Sequence, residues 1–307
     1  MNKKRILLRL VLAVVLMMCA NYVQAQVYAQ LKLWDSHLRY PKINEIEFEG
    51  ADSSLATYDA IYGHGVMWES EYVGFRIYMD HRQSIDLYGK KKAQLELDST
   101  NFYSNAEWMS KGYGEDILWV GQSVGAGSFR GVRDGKPVYI DTVSARGHKI
   151  VENTPDRVVV EVWDKDWKIN GKTLQMRQQY TMLRGHRDVQ IDVWLEGASD
   201  TDVFATGAQK LEMDNEGFMQ KNGLVGSWGR NIPDKGHPEL VEGVGIGVKV
   251  PKEYLVRVEE GEFDYLCFIH PVDGHIRYHL AVAADMQEVD GFHDSKSWFG
   301  WLKKWGK

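Results

Sequence analysis

The stretch that decides the fold runs from His64 to Lys92 and reads HGVMWESEYVGFRIYMDHRQSIDLYGKKK. From Val73 onward its side chains alternate between apolar and polar types. A strand directs successive side chains to opposite faces of its sheet, so this period of two predicts a half-buried strand. The alternation resumes after Gln83, which predicts a second strand and a hairpin. The apolar face consists of Val73, Phe75, Ile77, Met79, Ile85 and Leu87.

The opposite face of this hairpin concentrates functional groups. A three-residue loop over residues 81–83 places Tyr78 opposite Asp86. The same register places Arg76 opposite Tyr88. A guanidinium, a carboxylate and two phenols then converge on one patch, a composition that suits a sugar acid. The alternative is an ordinary cross-strand ion pair on a solvated sheet face.

Three further polar residues lie just upstream of this patch. Glu69 and Glu71 are two positions apart and are expected to share one strand face. Two carboxylates at such a short distance repel each other, and this repulsion raises the pKa of one of them. A carboxyl group with a raised pKa can act as a general acid or base near neutral pH. His64 lies between two glycines, a setting more typical of an exposed site than of a core. Two solvated glutamates at the start of a strand are the alternative.

A second candidate segment, GYGEDILWVGQSVGAGSFR, covers residues 112–130. It lacks the GK[ST] ending and the following helix of a phosphate loop, which excludes nucleotide binding. Glycines that adopt positive φ in a structural loop explain its composition. Glu115 and Asp116 are candidate acid–base groups or calcium ligands, and Trp119 and Arg130 are candidate substrate-binding residues.

Residues 1–25 have the pattern of an export signal, with a basic start, an apolar run over 6–19 and a small-residue cleavage site ending at Ala25. Cleavage after Ala25 is predicted, and the mature protein is expected in the periplasm or outside the cell. Lipid attachment at Cys19 is less favoured, because Met18 stands where a small residue is required. Since no second long apolar run follows, no membrane span is expected in the mature chain.

Charge and motifs exclude several classes of function. The formal charge of −6 becomes −10 once the four basic residues of the leader are removed. Such an acidic chain is not expected to bind nucleic acid, and an anionic ligand must meet a local cluster of Arg and Lys. There is no HExxH, paired CxxC or GxSxG motif, so we expect no metal, no cofactor and no hydrolase-type serine. Cys267, the single cysteine after the leader, is expected to be buried and inert.

Alternating segments and turn signals recur along the rest of the chain. Strands are predicted at 157–163, 173–182 and 189–195, with an Asn170-Gly171 hairpin turn between the first two. Together they form an antiparallel meander. Further strands are expected at 203–211, 244–250, 265–270 and 276–283, short helices at 103–111 and 295–304, and long loops at 105–130 and 226–243.

These features predict a single all-β domain over residues 26–307, a large antiparallel β-sandwich with few short helices. No linker or repeat divides the chain.

Five segments resemble a secreted bacterial family known as domain of unknown function 4861. They are HGVMWESEYVGFRIYMDHRQSIDLYGK (64–90), GYGEDILWVGQSVGAGSF (112–129), WDKDWKINGK (163–172), RGHRDVQIDVWLEG (184–197) and FATGAQ (204–209). The resemblance implies a galactose-mutarotase-like supersandwich, a fold that several polysaccharide lyases also use. It further implies a place beside enzymes that degrade pectin and other uronate-containing glycans. The positions that match the family are His64, Glu69, Glu71, Arg76, Tyr78, Asp86, Tyr88, Lys90, Glu115 and Asp116.

The sequence therefore predicts a periplasmic carbohydrate-active enzyme that acts on uronic-acid-containing, pectin-type oligosaccharides by general acid–base chemistry. Arg76, with Lys90, neutralises the sugar carboxylate and so acidifies the adjacent C5 proton. The base is one of the three acids Glu69, Glu71 and Asp86, and the acid is His64 or Tyr78. The candidate catalytic residues are His64, Glu69, Glu71, Tyr78, Asp86, Glu115 and Asp116, and the candidate binding residues are Arg76, Tyr88, Lys90, Trp119 and Arg130.

This residue set does not choose between elimination, epimerisation or mutarotation, and hydrolysis. Two other classes of function stay open at this point. A non-catalytic glycan-binding module needs the aromatic residues and Arg76, but not carboxyl groups with tuned pKa values. A structural protein of the envelope predicts that the polar hairpin face is simply solvated.

Overall fold

The computed structural model describes residues 26–34, 40–49, 59–237 and 240–307. The predicted leader, including Cys19, lies outside the described residues. The helices are α1 Leu97–Thr100, α2 Ala106–Ser110 and α3 Ser295–Trp305, with short 3-10 turns at Tyr62–His64 and Lys252–Tyr254. The strands are β1 Val27–Gln30, β2 Glu45–Glu49, β3 Gly65–Ser70, β4 Val73–Tyr78, β5 Ile85–Gly89, β6 Glu115–Asp116, β7 Arg130–Arg133, β8 Lys136–Val138, β9 Ala145–Asn153, β10 Arg157–Ile169, β11 Lys172–Leu183, β12 Asp188–Glu196, β13 Phe204–Gln209, β14 Met213–Gln220, β15 Leu224–Asn231, β16 Glu242–Lys249, β17 Leu255–Glu260, β18 Asp264–Ile269 and β19 His275–Ala284.

Within the described residues these strands form three antiparallel sheets. Sheet 1 has five strands in the order β1-β3-β4-β5-β6. Sheet 2 has nine strands in the order β14-β15-β16-β19-β12-β11-β10-β9-β2. Sheet 3 has five strands in the order β17-β18-β13-β7-β8. The predicted all-β sandwich with few helices is therefore confirmed.

Sheets 1 and 3 pack on sheet 2 and form the second layer of the sandwich. In sheet 1, β3 contacts β9, β10 and β11, and β4 contacts β19. In sheet 3, β13 contacts β15 and β16. The main core lies between the layers and includes Phe75 and Ile77 of β4, as the alternation predicts. Cys267 of β18 is buried in the same core, and burial raises the pKa of its thiol to about 12.

The register of the β4–β5 hairpin differs from the expected one by two residues. Arg76, not Tyr78, lies opposite Asp86. The loop accordingly runs over residues 79–83 instead of 81–83. A shift of two residues returns every side chain to its own face, so the polar and apolar faces are those that the alternation predicts.

The predicted meander is confirmed, and its first turn has the expected chemistry. Ile169 pairs with Lys172 across the two-residue turn. Asn170 and Gly171 have φ of +49° and +77°, the pair of positive values that a type I′ hairpin requires. β11 then pairs with β12 over its length.

The predicted loop over 226–243 is wrong at both ends, because these residues extend β15 and begin β16. The glycines of this segment suggested a loop, but Gly226 lies within β15 and makes room for α3, which packs on this part of sheet 2. A Cβ on Gly226 would lie 2.7 Å from a methyl carbon of Leu302. Helix α3 itself confirms the prediction at 295–304. Among the described residues, no helix combines the length and apolar character needed to cross a membrane.

Candidate functional site

The polar face of sheet 1 forms the floor of a cleft with a volume of about 450 Å³. We call it the first cleft. It opens on the side of sheet 1 that faces away from sheet 2, because the core-facing residues of β4 point the other way. The structure places six of the predicted site residues on its lining: Arg76, Tyr78, Asp86, Glu115, Asp116 and Trp119.

The guanidinium of Arg76 is the centre of this floor and is only 2% exposed. Its Nε and Nη2 donate to Asp86 Oδ2 at 3.0 and 2.7 Å, and Nη2 also donates to Asp116 Oδ2 at 3.0 Å. Nη2 reaches the Tyr78 hydroxyl at 2.9 Å, and Nη1 reaches the Tyr103 hydroxyl at 2.6 Å. Asp86 thus takes the place that the sequence analysis expected for a sugar carboxylate.

Aromatic rings surround the same guanidinium. Its Cζ lies 4.2 Å from the Phe102 ring centroid, 5.1 Å from that of Tyr103 and 4.8 Å from that of Tyr78. Phe102 and Tyr103 follow α1, where Asn101 and Phe102 have φ of +50° and +75° and turn the chain over the sheet. Sequence reasoning missed both aromatic residues, because no local pattern connects this segment to β4.

Asp86 and Asp116 share Arg76 but have different environments. Asp86 is 1% exposed, and its Oδ2 also accepts from the Tyr78 hydroxyl at 2.6 Å. The Asp116 side chain is 21% exposed and faces the first cleft. Burial, and next the charge of Asp86, raise the pKa of Asp116 well above its usual range against the opposing effect of Arg76. Asp116 is therefore the cleft-facing carboxyl group of this pair, and burial and the charge of Asp86 favour its protonated form.

A second carboxyl pair stands at the rim of the first cleft. Glu115 of β6 is hydrogen-bonded to Glu242, the first residue of β16. Burial, and next the charge of Glu115, raise the pKa of Glu242 to about 7, while Lys91 opposes the shift. Burial also raises the pKa of Glu115. The ionisation of each carboxyl group therefore affects that of the other. Glu242 was not predicted as a site residue, because it lies within the loop predicted at 226–243.

Gly114 brings β6 close enough to β5 to place these acids. A Cβ on Gly114 would lie 1.7 Å from the carbonyl oxygen of Gly89, so the close approach requires glycine. The carbonyl of Gly114 accepts from the Tyr88 hydroxyl at 2.7 Å, and its N–H donates to Glu96 at 2.8 Å. Tyr88, expected to bind substrate, is fully buried in this local network and is not on the cleft lining.

Glu69 and Lys90 are also absent from the lining, because they form a fully buried ion pair with each other. Glu69 accepts from the backbone N–H groups of Glu96 at 2.8 Å and Leu97 at 2.9 Å. Lys90 donates to the Gln94 carbonyl at 2.8 Å. Burial raises the pKa of Glu69, and Lys90 opposes that shift. The pair holds the start of α1 against sheet 1.

The other three predicted residues lie outside the first cleft. Glu71 is buried and accepts from the Gly185 N–H at 3.2 Å. His64 is half-buried with its ring edge-on to Tyr103 at 6.3 Å, next to the lining rather than on it. Arg130 lines a different cleft. The structure does not bring Glu69 and Glu71 together at one open site.

Acidic groups outnumber basic ones on the lining of the first cleft, as far as the structure describes it. Asp86, Glu115, Asp116 and Asp234 face Arg76 and Arg82. Arg82 is the more exposed arginine, with 35% of its side chain accessible, and it pairs with Asp80 at 2.5 Å. No three His, Cys, Asp or Glu side chains of the described ranges converge in a way that would hold a metal ion.

Fold and site together define an antiparallel β-sandwich protein with a carboxyl-rich cleft on the outer face of one sheet. Residues 13–307 match a family described as "Domain of unknown function (DUF4861)", and the chain belongs to that family. Among proteins with curated descriptions, none matches this sequence.

Two solved structures resemble the chain in shape. One is a candidate aldose 1-epimerase from Klebsiella pneumoniae, with 10% identity and a TM-score of 0.40 over 91% of this chain and 94% of the other. The second is a candidate kojibiose phosphorylase from the human microbiome, with 10% identity and a TM-score of 0.37. That match covers 86% of this chain and 35% of the phosphorylase. Neither likeness assigns a role to a residue of this chain.

Proposed function

We propose that the protein is a carbohydrate-active enzyme that acts on a uronic-acid-containing sugar by general acid–base catalysis in the first cleft. One observation carries the proposal. Arg76 bridges Asp86, which is 1% exposed, and Asp116, whose side chain is 21% exposed in the cleft and has a raised pKa. A raised pKa suits an accessible carboxyl group to act as a general acid near neutral pH.

In this proposal Asp116 is the general acid. Its raised pKa favours the protonated form, and its partly exposed side chain can present that proton to a ligand, while Asp86 is ion-paired with Arg76 behind it. Glu115 is the general base, because it lines the cleft and its hydrogen bond with Glu242 favours its ionised form against the larger effect of burial. Lys91 stabilises the ionised form of the Glu115–Glu242 pair.

The cleft walls suit a sugar ring. Tyr103 and Trp119 are each 46% exposed and line the cleft, so both offer an aromatic face to the apolar side of a sugar. Its volume is in the range of small-molecule sites. We assign the sugar carboxylate to Arg82, because 35% of its side chain is exposed on the cleft lining, whereas Arg76 is buried.

Neutralising that carboxylate acidifies the C5 proton, which both elimination and epimerisation require. Mutarotation and hydrolysis need the same acid–base pair without removal of a carbon-bound proton. The proposal therefore covers lyase, epimerase or mutarotase, and hydrolase chemistry. We also propose that the protein is exported to the periplasm, where uronate oligosaccharides would be its substrate.

The test is an activity screen of the purified protein on saturated and unsaturated uronate oligosaccharides, with neutral galacto-oligosaccharides in parallel. Absorbance of a C4–C5 double bond and product masses report the reaction. Asp116→Asn should lower turnover about 10²- to 10⁴-fold, the range for loss of a general acid. Asp234→Asn is the matched control, since Asp234 lines the same cleft without contacting Arg76. Wild-type turnover in Asp116→Asn contradicts the role of Asp116, and turnover of neutral sugars alone contradicts the substrate class.

A non-catalytic glycan-binding module is the second candidate, and the exposure of Trp119 and Tyr103 favours it. Such a module binds uronate oligosaccharides without converting them. Trp119→Ala then weakens binding, while Asp116→Asn leaves binding intact. Calorimetric titration together with product analysis distinguishes the two functions.

A further inference from the structure

A second and larger cleft, of about 920 Å³, lies on the outer face of sheet 3. We call it the second cleft. Its floor is an apolar cluster that includes Val124, Leu266 and Phe268, which is separate from the main core. The β7–β8 hairpin and the turn between β17 and β18 form its walls. None of its lining residues belongs to the first cleft.

Arg130 lies in this cleft and is only 1% exposed. Its Nη2 donates to Ser84 Oγ at 2.7 Å and its Nη1 to the Phe129 carbonyl at 3.0 Å. The Tyr139 ring centroid lies 5.2 Å from its Cζ. Among the described residues, no carboxylate lies within 4.0 Å of this guanidinium.

That isolation is unusual for a buried charge. Arg76 and Arg146, which are equally buried, each have a carboxylate partner at 2.7 Å. A buried charge without a counter-charge is costly, and burial lowers the pKa of Arg130. The protein therefore maintains an unneutralised cation at the edge of an apolar cleft.

The nearby acids do not neutralise it. Asp264 is the acid whose charge acts on Arg130. It accepts from the Val124 N–H at 2.9 Å, however, and burial raises its pKa to about 7. Glu259 and Glu260 on the far wall are each paired with other cations, Arg257 and Lys210, at 2.8 Å. The remaining acids on the lining are Asp141 and Glu262.

Other groups at this end of the cleft also suit an anion. The Nδ1 atom of His81 is buried and has no hydrogen-bond partner in the described part of the chain. Its ring is edge-on to Tyr139 at 5.5 Å, the ring that also covers Arg130. Arg133 and Lys136 are exposed on the cleft lining and add positive charge.

We infer that the second cleft binds a small anionic ligand, whose carboxylate or phosphate group pairs with Arg130 while its apolar body rests on Leu266 and Phe268. A bound anion would provide the counter-charge that Arg130 lacks within the protein. An ion pair at a buried position is stronger than the same pair in water, because the local dielectric constant is lower. This site is independent of the chemistry in the first cleft.

The experiment is a calorimetric titration of the folded protein with galacturonate, inorganic phosphate and, as the neutral counterpart, galactose. The Arg82→Gln variant is used alongside wild type, because it removes the group assigned to the sugar carboxylate in the first cleft and leaves the second cleft intact. We expect an anion, but not galactose, to bind both proteins, and the preferred anion identifies the ligand source. Absence of binding by both anions at millimolar concentration overturns the inference.

Arg130→Lys should weaken the binding about tenfold or more, because lysine cannot reproduce the planar set of donors. Lys136→Glu reverses an exposed charge at the cleft without touching the core, and it keeps the test decisive if Arg130→Lys does not fold. We expect severalfold weaker binding from it, with Lys221→Glu, also exposed, as its matched control. Unchanged affinity in both Arg130→Lys and Lys136→Glu overturns the assignment to this cleft.

Discussion

Arg76 and Asp86 lie directly opposite each other on β4 and β5, and two donors of the guanidinium reach a single carboxylate oxygen at 3.0 and 2.7 Å. The pair is almost completely buried beneath the cleft surface. It holds Asp116 and Tyr103 in place through the same guanidinium. Loss of this one side chain should therefore affect both stability and the first cleft.

Arg76→Met should lower the free energy of unfolding by about 3–5 kcal/mol, because it leaves Asp86 buried without its counter-charge. Urea denaturation measures the change. Arg157→Ala, which removes an exposed ion pair with Glu152, should cost less than about 1 kcal/mol. Equal losses in the two variants contradict the central place of Arg76.

Glu69→Gln tests whether this carboxyl group is structural or catalytic. It leaves the Lys90 ammonium buried without a counter-charge, so we expect a stability loss of about 3–5 kcal/mol. Turnover per folded molecule should not change, since Glu69 is not on the lining of the first cleft. A large fall in turnover with unchanged stability restores the catalytic role that the sequence alone suggests.

The Glu115–Glu242 pair should make stability depend on pH. The pKa of Glu242 is raised to about 7 on folding, so between its unfolded value and about 7 the folded state binds more protons than the unfolded state. This contribution to stability is present at low pH and is lost as pH rises through about 7. Glu242→Gln should therefore gain stability relative to wild type as the pH increases from 5 to 8.

Thermal unfolding at several pH values measures the effect of Glu242→Gln. Glu196→Gln, a change at an exposed position, should keep the wild-type pH profile. If the melting temperature of Glu242→Gln follows the same pH dependence as that of wild type, the raised pKa of Glu242 is contradicted.

Gly114→Ala should displace β6 from β5. The added methyl group would lie 1.7 Å from the Gly89 carbonyl oxygen, so backbone must move. We expect a lower melting temperature and, if the proposed function holds, a loss of turnover through misplaced Glu115 and Asp116. Gly171→Ala meets no atom within 4 Å but sits at a φ of +77°, so it should destabilise its hairpin and leave the first cleft unchanged.

Much of the sandwich could be predicted because its signals are local. The alternation in β4, β5, β11 and β12 reports which side chains face the core, and Asn170-Gly171 reports a turn. The exposed strands β14 and β17 escaped prediction because they bury few side chains and so show little alternation. The start of β15 escaped prediction because it contains Gly226, a glycine that makes room for the distant helix α3.

The candidate site was predicted only in part, for the same reason. Periodicity placed Arg76, Tyr78 and Asp86 on one face, and a register error of two residues did not change that face. It did not reveal that Glu69 and Lys90 neutralise each other in the interior, or that Arg130 belongs to another cleft.

By itself, the sequence determined the fold class, the two faces of the β4–β5 hairpin and the chemical groups on its polar side, since these depend on residues close together in the chain. Only the tertiary structure decided which of those groups form ion pairs or hydrogen bonds within the protein and which are exposed in the cleft. The partners of Arg76 include Tyr103 and Asp116, which are 27 and 40 residues away, and Glu115 meets Glu242 from the other layer of the sandwich. Burial and ion pairing determine the pKa values and which hydrogen-bond donors are available to a ligand. Burial and ion pairing arise only when segments distant in sequence pack together.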